Sequence, residues 1–389
     1  MLRSKRRLVA LLCLLLVLTT GCSDRRILEE IAFTHTISYD LNPNSDSPGK
    51  RLLIGAAFPK ANNQGKIQRE MLTTEALTSK EARMKLSRLT ELGLVSGQLR
   101  LVMFGKELAR EGIWDTLSSL VRDPSTSPRV KVAIVDGLAH DLLVQDFPQH
   151  PRTGQYIDRM LEKEANKQTI PTVTLHHFTR ELLDDPADPV APIVRQRGNN
   201  VELSGIALFR KDRYVASVQE EDATVFSMIQ GSFRKGELSM RLDRLASGEV
   251  QGRRKADGDE EVPKLITIDS MVNKRDMKVE RLQGNRFKAA FKLEVTATLL
   301  EYSGDDIDFT SQEDRRKVEG LMSKYLNNRA TSIGTLLKKT GADCVGIGER
   351  VRNLMSYKEW ESIDWESMYP QTELDFDIQV RISNFGKFS

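Results

Sequence analysis

The first 22 residues predict the cellular compartment in which the rest of this chain folds. Four cations within the first seven residues precede an apolar run from Leu8 to Leu18, and the small residues Thr19-Thr20-Gly21 lead to Cys22. A charged start, a short apolar core and small residues before a cleavage site are typical of a secretory signal peptide. The apolar run is shorter than the ~20 residues that a membrane-spanning helix needs. The sequence therefore predicts that residues 1–21 direct export and are removed.

The cysteine directly after Gly21 points to anchoring rather than simple secretion. A Gly-Cys pair at the end of an export signal resembles a bacterial lipobox, where cleavage precedes the cysteine and the new terminal residue carries lipid. Thr19 stands where a lipobox most often has Leu, and Leu18 lies one residue earlier. We therefore predict that Cys22 is the lipidation site. Plain secretion, with an incidental cysteine at this position, is the alternative.

Removal of the signal also changes the charge balance. The full chain has 389 residues and a formal charge of +3, whereas the exported part has 54 basic against 55 acidic residues. Because nucleic-acid binding depends on an excess of clustered cations, we expect no nucleic acid as partner. Cys344 is the one cysteine after Cys22, so no internal disulfide is expected and no zinc-ligand spacing is present.

The alternation of strands and helices predicts an α/β or α+β fold, and two breaks in the pattern divide the chain after the signal into three parts. A chain of this length suits two or three cores. Strands and helices alternate from Arg51 to Leu183, and three prolines within 184–192 forbid regular structure there and mark the first boundary. The charged run 247–263 marks the second. The predicted parts are a signal peptide at 1–21, an N-terminal α/β domain at 22–190, a small middle α/β domain at 191–255 and a C-terminal α+β domain at 256–389.

The C-terminal domain is predicted to be an antiparallel-rich sheet covered by one long amphipathic helix. Lys292–Leu299 alternates polar and apolar residues, as a strand with one wet face does. From Gln312 to Lys339 the apolar residues fall on one stripe, and Gly341 follows as a terminator. Asp375–Ser383 alternates again and is predicted to close the sheet. We expect the helical stripe to cover the sheet rather than to bind a ligand.

Sequence patterns of catalysis and cofactor binding are missing. The chain has no GxSxG, HExxH, P-loop or GxGxxG pattern, and Gly346-Ile347-Gly348 lacks the third glycine of a dinucleotide motif. His176 and His177 are adjacent on a predicted helix, so their side chains point in different directions. We therefore expect no catalytic residue, no metal and no cofactor, and we interpret 346–348 as a turn.

Four segments, taken in order, carry a resemblance that extends over nearly the whole exported chain. The first begins at Gly21-Cys22 and continues Ser23-Asp24-Arg25-Arg26, where the family pattern is Gly-Cys-Trp-Asp-Arg-Arg and Ser23 departs from it. The others are Glu81-Ala82-Arg83 through Gly97 and Val102–Ile113 to Arg122-Asp123-Pro124, then Ser204–Arg210, and finally Ala342–Gly348. Together they are similar to the Ger(x)C family, the lipoprotein C subunits of spore germinant receptors.

This resemblance implies a non-enzymatic subunit of a membrane receptor. In that family, the C lipoprotein sits with an A subunit and a multi-spanning B subunit in the inner spore membrane. The complex responds to nutrients such as amino acids, sugars or nucleosides and starts germination. The implied fold is three mixed α/β domains, the implied partners are the A and B subunits and the lipid bilayer, and the implied site is Cys22, carrying palmitate or a similar chain at the outer face of the membrane.

Two other functions remain open at this point. A solute-binding lipoprotein that delivers a ligand to a membrane transporter needs a cleft between two similar lobes, and an exported enzyme needs a catalytic site that the motifs above do not provide. The C-terminal segments are also ambiguous. Trp360 and Trp365 are either core residues or an interface, and Asp343, Gly346 and Gly348 form either a turn or a partner surface.

Overall fold

The computed structural model describes residues 30–42, 52–61, 67–241, 265–303, 309 and 311–385. Cys22 and the signal peptide lie outside these residues, and so does the predicted second boundary at 247–263. Within the described residues, the chain forms one sheet of eight strands, one of four and a small pair. No helix in these ranges is long and apolar enough to cross a membrane.

The eight-stranded sheet is the framework of the first half of the chain. Its order is β10-β9-β8-β7-β6-β2-β3-β4, with a parallel centre from β8 to β2 and antiparallel pairs at both ends. The first ten strands, including the small parallel pair of β1 with β5, are β1 Ile31–Phe33, β2 Thr36–Leu41, β3 Leu52–Ala61, β4 Ile67–Ala76, β5 Gly93–Val95, β6 Leu101–Gly105, β7 Lys131–Val135, β8 Val190–Arg197, β9 Asn200–Arg210 and β10 Arg213–Gln219.

Helices cover both faces of this sheet. The central strand β6 is buried at all five positions, as expected for a parallel strand covered on two sides. The helices are α1 Ser79–Ser87, α2 Lys106–Glu111, α3 Trp114–Val121, α4 Ala139–Val144, α5 Thr153–Asn166, α6 Leu175–Leu183 and α7 Glu220–Gln230. The predicted alternation of strands and helices is therefore present, and the α+β fold class is confirmed.

The sequence predicted irregular structure throughout residues 184–192, and this prediction is wrong for the last three of them. Val190, Ala191 and Pro192 form the start of β8. Pairing of β8 with β7 begins only at Ile193, so Pro192 faces a strand on one side alone and its missing N–H is tolerated there. One sheet thus continues across residue 190. The division into domains at 22–190, 191–255 and 256–389 stays a prediction.

The C-terminal part is a four-stranded sheet with a long helix against it. The strand order is β11-β12-β13-β14, with two antiparallel pairings and a parallel pairing of β13 with β14. The elements are β11 Lys235–Arg241, β12 Leu265–Arg281, β13 Phe287–Tyr302, α8 Gln312–Thr340, α9 Ile347–Arg352, α10 Tyr357–Trp360, α11 Trp365–Met368 and β14 Glu373–Phe385. The parallel pair follows from the helices between β13 and β14, which return the chain to the end where β13 began.

Helix α8 confirms the predicted stripe and adds a second role. Its buried residues recur every three or four positions, from Val318 to Leu337, and Gly341 ends it with φ +69°. Three polar side chains one turn apart also bond to the outer edge of β14. Glu319, Ser323 and Asn327 accept hydrogen bonds from the N–H groups of Ile382, Val380 and Ile378, at 2.8, 2.9 and 3.0 Å. An edge strand that would otherwise be free to pair with another chain is thereby closed.

Candidate functional site

The predicted lipid site, Cys22, lies outside the described residues, so its role stays a prediction. The chain enters the described structure at Glu30 and continues as β1, which pairs with β5. The other segments that carry the resemblance to Ger(x)C proteins lie mostly within the described residues, and they meet at two places. One is a junction between the two large sheets, and the other is a clamp beside α1.

At the junction, Ala342–Gly348 forms a tight turn between α8 and α9. The carboxylate of Asp343 accepts hydrogen bonds from the N–H groups of Gly346, Ile347 and Gly348, at 3.1, 2.9 and 2.5 Å. Gly346 has φ +79°, a conformation that favours glycine. Asp343 itself is 2% exposed, so its side chain has no access to a partner protein. The turn interpretation is therefore the one that the geometry supports.

Asp343 also joins the turn to the proline-rich segment before β8. Its N–H donates to Oδ2 of Asp188 at 2.9 Å, and the N–H of Asp188 donates to the carbonyl of Asp343 at 3.1 Å. The other oxygen of Asp188 accepts from the N–H of Lys211 at 2.7 Å. Three segments that are distant in sequence are therefore held by one pair of aspartates. Sequence reasoning missed Asp188, because its bond to Asp343 spans 155 residues.

Lys211 lies in the turn of the β9–β10 hairpin, which the sequence predicted at Lys211-Asp212. The turn is confirmed, with β9 ending at Arg210 and β10 starting at Arg213. Asp212 connects it to the loop between α2 and α3, since its carbonyl and its carboxylate accept from the N–H groups of Ile113 and Trp114, both at 3.1 Å. Three of the resemblance segments, those ending at Ile113, Arg210 and Gly348, thus converge on this hairpin turn.

Burial at the junction shifts the ionisation of its acids. Burial raises the pKa of Asp343 to about 7, against the opposing effect of the N–H groups that its carboxylate accepts from. Burial likewise raises the pKa of Asp188. The thiol of Cys344 lies near the carbonyls of Pro189 and Phe209, and burial raises its pKa well above the ordinary value. A buried, protonated thiol is a poor nucleophile, so Cys344 packs rather than reacts.

The tryptophans that were ambiguous in the sequence are core residues. Trp360 and Trp365 are only 6% and 7% exposed, and Trp365 packs against Tyr369 with ring centroids 5.7 Å apart. Gly348 lies under Trp365, and a methyl group on Gly348 would lie 2.6 Å from the carbonyl oxygen of Pro186. The turn and the proline-rich segment therefore touch through backbone, which only glycine permits at this position.

A polar cleft of about 710 Å³ borders the junction. Its walls include His177 and Glu181 of α6 and Asp184 behind them, and burial raises the pKa of Glu181 to about 7 despite the nearby Arg180. The guanidinium of Arg352, the last residue of α9, donates a hydrogen bond to the carboxylate of Asp184 at 2.5 Å. These groups tie α6 to α9 and supply no nucleophile with a general base.

The second meeting place is the clamp beside α1, built on Arg83 in the middle of this helix. The guanidinium of Arg83 bonds to the carboxylate of Asp123 and to the hydroxyl of Ser96. The other oxygen of Asp123 accepts from the N–H and the hydroxyl of Ser125, at 2.9 and 2.7 Å. Burial raises the pKa of Asp123, but the bonds from Ser125 and Arg83 outweigh it and leave the pKa below its ordinary value. The segments 81–83 and 122–124 are thus joined directly.

The histidines serve local contacts. His35 lies 3.4 Å from the amide oxygen of Gln98, His140 lies 3.0 Å from the hydroxyl of Thr73, and His150 stacks on Tyr156. Across the described ranges, no group of three or more His, Cys, Asp or Glu side chains is arranged to hold a metal ion.

Comparison with known proteins finds matches that extend over nearly the whole chain. Residues 24–196 match the family model described as spore germination protein N-terminal domain, and residues 204–386 match the one described as spore germination B3/GerAC like, C-terminal. The spore germination protein GerQC of Bacillus cereus is 24% identical over 97% of this chain and 98% of its own length. The putative spore germination protein YfkR of Bacillus subtilis strain 168 is 21% identical, over 96% and 95%.

A solved structure shares the fold as well. The crystal structure of the GerBC protein superposes with a TM-score of 0.52 and 14% identity, over 92% of this chain and 100% of that one. The two family models meet between residues 196 and 204, within the eight-stranded sheet, and together they cover almost all of residues 24–386. The chain therefore belongs to the Ger(x)C family of spore germination proteins.

Proposed function

We propose that this chain is the C subunit of a nutrient germinant receptor, a lipid-anchored protein required to trigger spore germination and without catalytic activity of its own. The observation that carries this proposal is the match of two consecutive spore germination models over 24–196 and 204–386. The Gly21-Cys22 pair after an export signal supplies the anchor, at the outer face of the inner spore membrane.

The partners in this proposal are the A and B subunits of the receptor and the bilayer. The folded body supports an anchoring and assembly role because its shared segments are used for internal joints. The carboxylates of Asp188, Asp343 and Asp123 accept hydrogen bonds from backbone or side-chain donors. Such joints hold a body rigid for binding partners, and these three carboxylates are engaged in them. The three-domain division given above belongs to the same proposal.

The direct test replaces the anchor residue. Cys22→Ala should leave the folded body unchanged, release it from spore membranes and strongly reduce germination in response to nutrients. One acyl chain alone holds a protein only marginally, so the fraction released also measures how much partner contacts contribute to attachment. The matched control is Ser23→Ala, which alters the neighbouring residue and keeps the lipidated cysteine. Membrane fractionation, mass spectrometry of the N-terminal peptide and germination rate are the measurements.

Two results would count against this proposal. An unmodified Cys22 in the native protein would remove the anchor, and normal germination by a Cys22→Ala spore would remove the need for it. The solute-binding alternative predicts tight stoichiometric binding of a nutrient to the isolated chain. We do not favour it, because it needs two similar lobes, whereas this chain combines a mixed eight-stranded sheet with a different four-stranded one.

A further inference from the structure

A second cleft, distinct from the junction, lies between α1 and the face of β2 and β3. Its volume is about 520 Å³, which falls within the ~300–1,000 Å³ range of small-molecule sites. The lining is mostly apolar and includes Ile37, Tyr39, Ile54, Leu86, Leu94 and Leu120. It also contains the hydroxyl-bearing residues Thr34, Ser79, Ser96 and Ser119. We call this feature the α1 cleft.

The α1 cleft exists because α1 covers the sheet incompletely. This helix has nine residues, and only Ala82 and Leu86 of them are buried. Ile37 lies on β2, an interior strand between β6 and β3, yet it is only partly buried. Met84 also lines the cleft and is 55% exposed. A sheet interior normally hides such side chains, so this opening leaves apolar surface available to a ligand.

The charges at the mouth of the cleft select the type of ligand. Lys80, Arg83 and Arg122 line it together with one acid, Asp123. Both carboxylate oxygens of Asp123 already accept hydrogen bonds, one from Arg83 and the other from Ser125. Lys80 and Arg122 are exposed, and neither forms a salt bridge with another described residue. The mouth therefore offers two cations and no available anion.

We propose that the α1 cleft binds an anionic amphiphile with a single aliphatic chain. The carboxylate or phosphate of the ligand pairs with Lys80 and Arg122, and its chain lies on Ile37 and Ile54. A cation or a zwitterion is excluded from this role because no acidic group at the mouth is free to pair with an ammonium. The same chemistry is found in a free fatty acid and in an anionic monoacyl phospholipid such as monoacyl phosphatidate, so the test distinguishes these two sources.

Photo-crosslinking in zwitterionic lipid nanodiscs tests this proposal on the full chain. The probe is decanoate with a diazirine at the end of its chain, and labelled peptides are identified by mass spectrometry. Because the diazirine is at the end of the chain, we expect saturable labelling of the peptides that contain Ile37 of β2 and Ile54 of β3, and of α1 across the cleft from them. Decanoate and decyl phosphate should compete with the probe, whereas decanol and decyltrimethylammonium should compete at least roughly tenfold less well, the equivalent of one charge-assisted hydrogen bond.

Charge reversal gives the decisive comparison. The double variant Lys80→Glu, Arg122→Glu changes two exposed side chains and should weaken labelling by roughly tenfold or more. The matched control is Lys274→Glu, Lys278→Glu, which makes the same charge change at exposed positions of β12 and should leave labelling unchanged. A monoacyl phosphatidate that competes better than decanoate identifies a phospholipid source, and the reverse order identifies a free fatty acid.

Several outcomes would overturn the proposal. They are labelling that does not saturate, labelling outside the cleft, equal competition by decanol, and labelling that survives the Lys80→Glu, Arg122→Glu change. Loss of self-association in that variant, measured by analytical ultracentrifugation, would show instead that a second copy covers the cleft. The ligand site does not include the proposed anchor residue. The Cys22→Ala chain should therefore be labelled as strongly as the native one.

Discussion

Asp343→Asn should flatten the pH dependence of folding stability. The Asp343 carboxyl is 2% exposed, and burial raises its pKa to about 7 from an ordinary value of 3.8. Asparagine has the same shape and keeps one oxygen for the N–H groups of Gly346 and Ile347, while the bond from the N–H of Gly348 is lost at every pH. It has no proton to lose. The substitution therefore removes the titration with little change in packing.

The sign of the effect follows from proton binding. Between about pH 4 and pH 7 the folded chain keeps the proton on Asp343 while the unfolded chain has lost it. The contribution of this group to the free energy of unfolding is thus fully present below about pH 4 and is lost as the pH rises through about 7. The slope is at most about 1.4 kcal/mol per pH unit for one proton, so the loss is about 2–3 kcal/mol between about pH 5 and pH 7.5. Relative to the native chain, Asp343→Asn should gain that amount over this interval.

Urea unfolding at a series of pH values measures this difference. The three tryptophans of the chain include Trp360 and Trp365, both near the junction, so intrinsic fluorescence reports its unfolding. The control is Asp364→Asn. Asp364 is exposed and caps α11 by accepting from the N–H of Ser367 at 3.3 Å, so its replacement makes the same chemical change at a carboxylate that is not buried. Parallel pH curves for the native chain and Asp343→Asn would refute the reasoning.

Two further changes test the packing and the edge. Gly348→Ala should destabilise the fold by about 1–3 kcal/mol, because the added methyl group meets Pro186 and Trp365. The control is Gly320→Ala, in open space on α8, which should stabilise the fold by up to about 1 kcal/mol. Thermal melts compare the two variants, and equal melting temperatures would contradict the close approach at Gly348. Asn327→Ala removes both its bonds to the backbone of Ile378 and should cost about 1–3 kcal/mol while promoting aggregation through the edge of β14. Urea unfolding and light scattering compare this variant with Asn328→Ala, a change at the next residue, whose exposed side chain forms no hydrogen bond to the described residues of β14. Equal stability of the two variants would contradict the edge role.

Local patterns were enough to predict most elements of the fold. The periodic stripe of α8 and its stop at Gly341, the hairpin turn at Lys211-Asp212 and the closing strand near Asp375 are confirmed. They are recoverable because each depends on residues within a few positions of one another. The start of β8 was missed because the prolines predict a break, whereas the sheet needs no N–H from Pro192 on its β7 side.

The joints between elements could not be predicted in the same way. Asp343 was recognised as a member of a turn, but its partner Asp188 was not. The bond between Arg83 and Asp123 was also invisible, although both residues lie in segments that the resemblance singled out. A hydrogen bond across 40 or 155 residues leaves no periodic signal in a single sequence.

By itself, the sequence determined the α+β pattern and predicted an export signal that ends in a cysteine, with a near-neutral charge for the residues after it, because these are properties of composition and short-range spacing. Only the tertiary structure decided that Trp360 and Trp365 are core, that Asp188 and Asp343 hold the two sheets together, and that α1 leaves a cleft beneath it. Burial and the meeting of distant segments are the reason, since both depend on which surfaces the folded chain brings into contact.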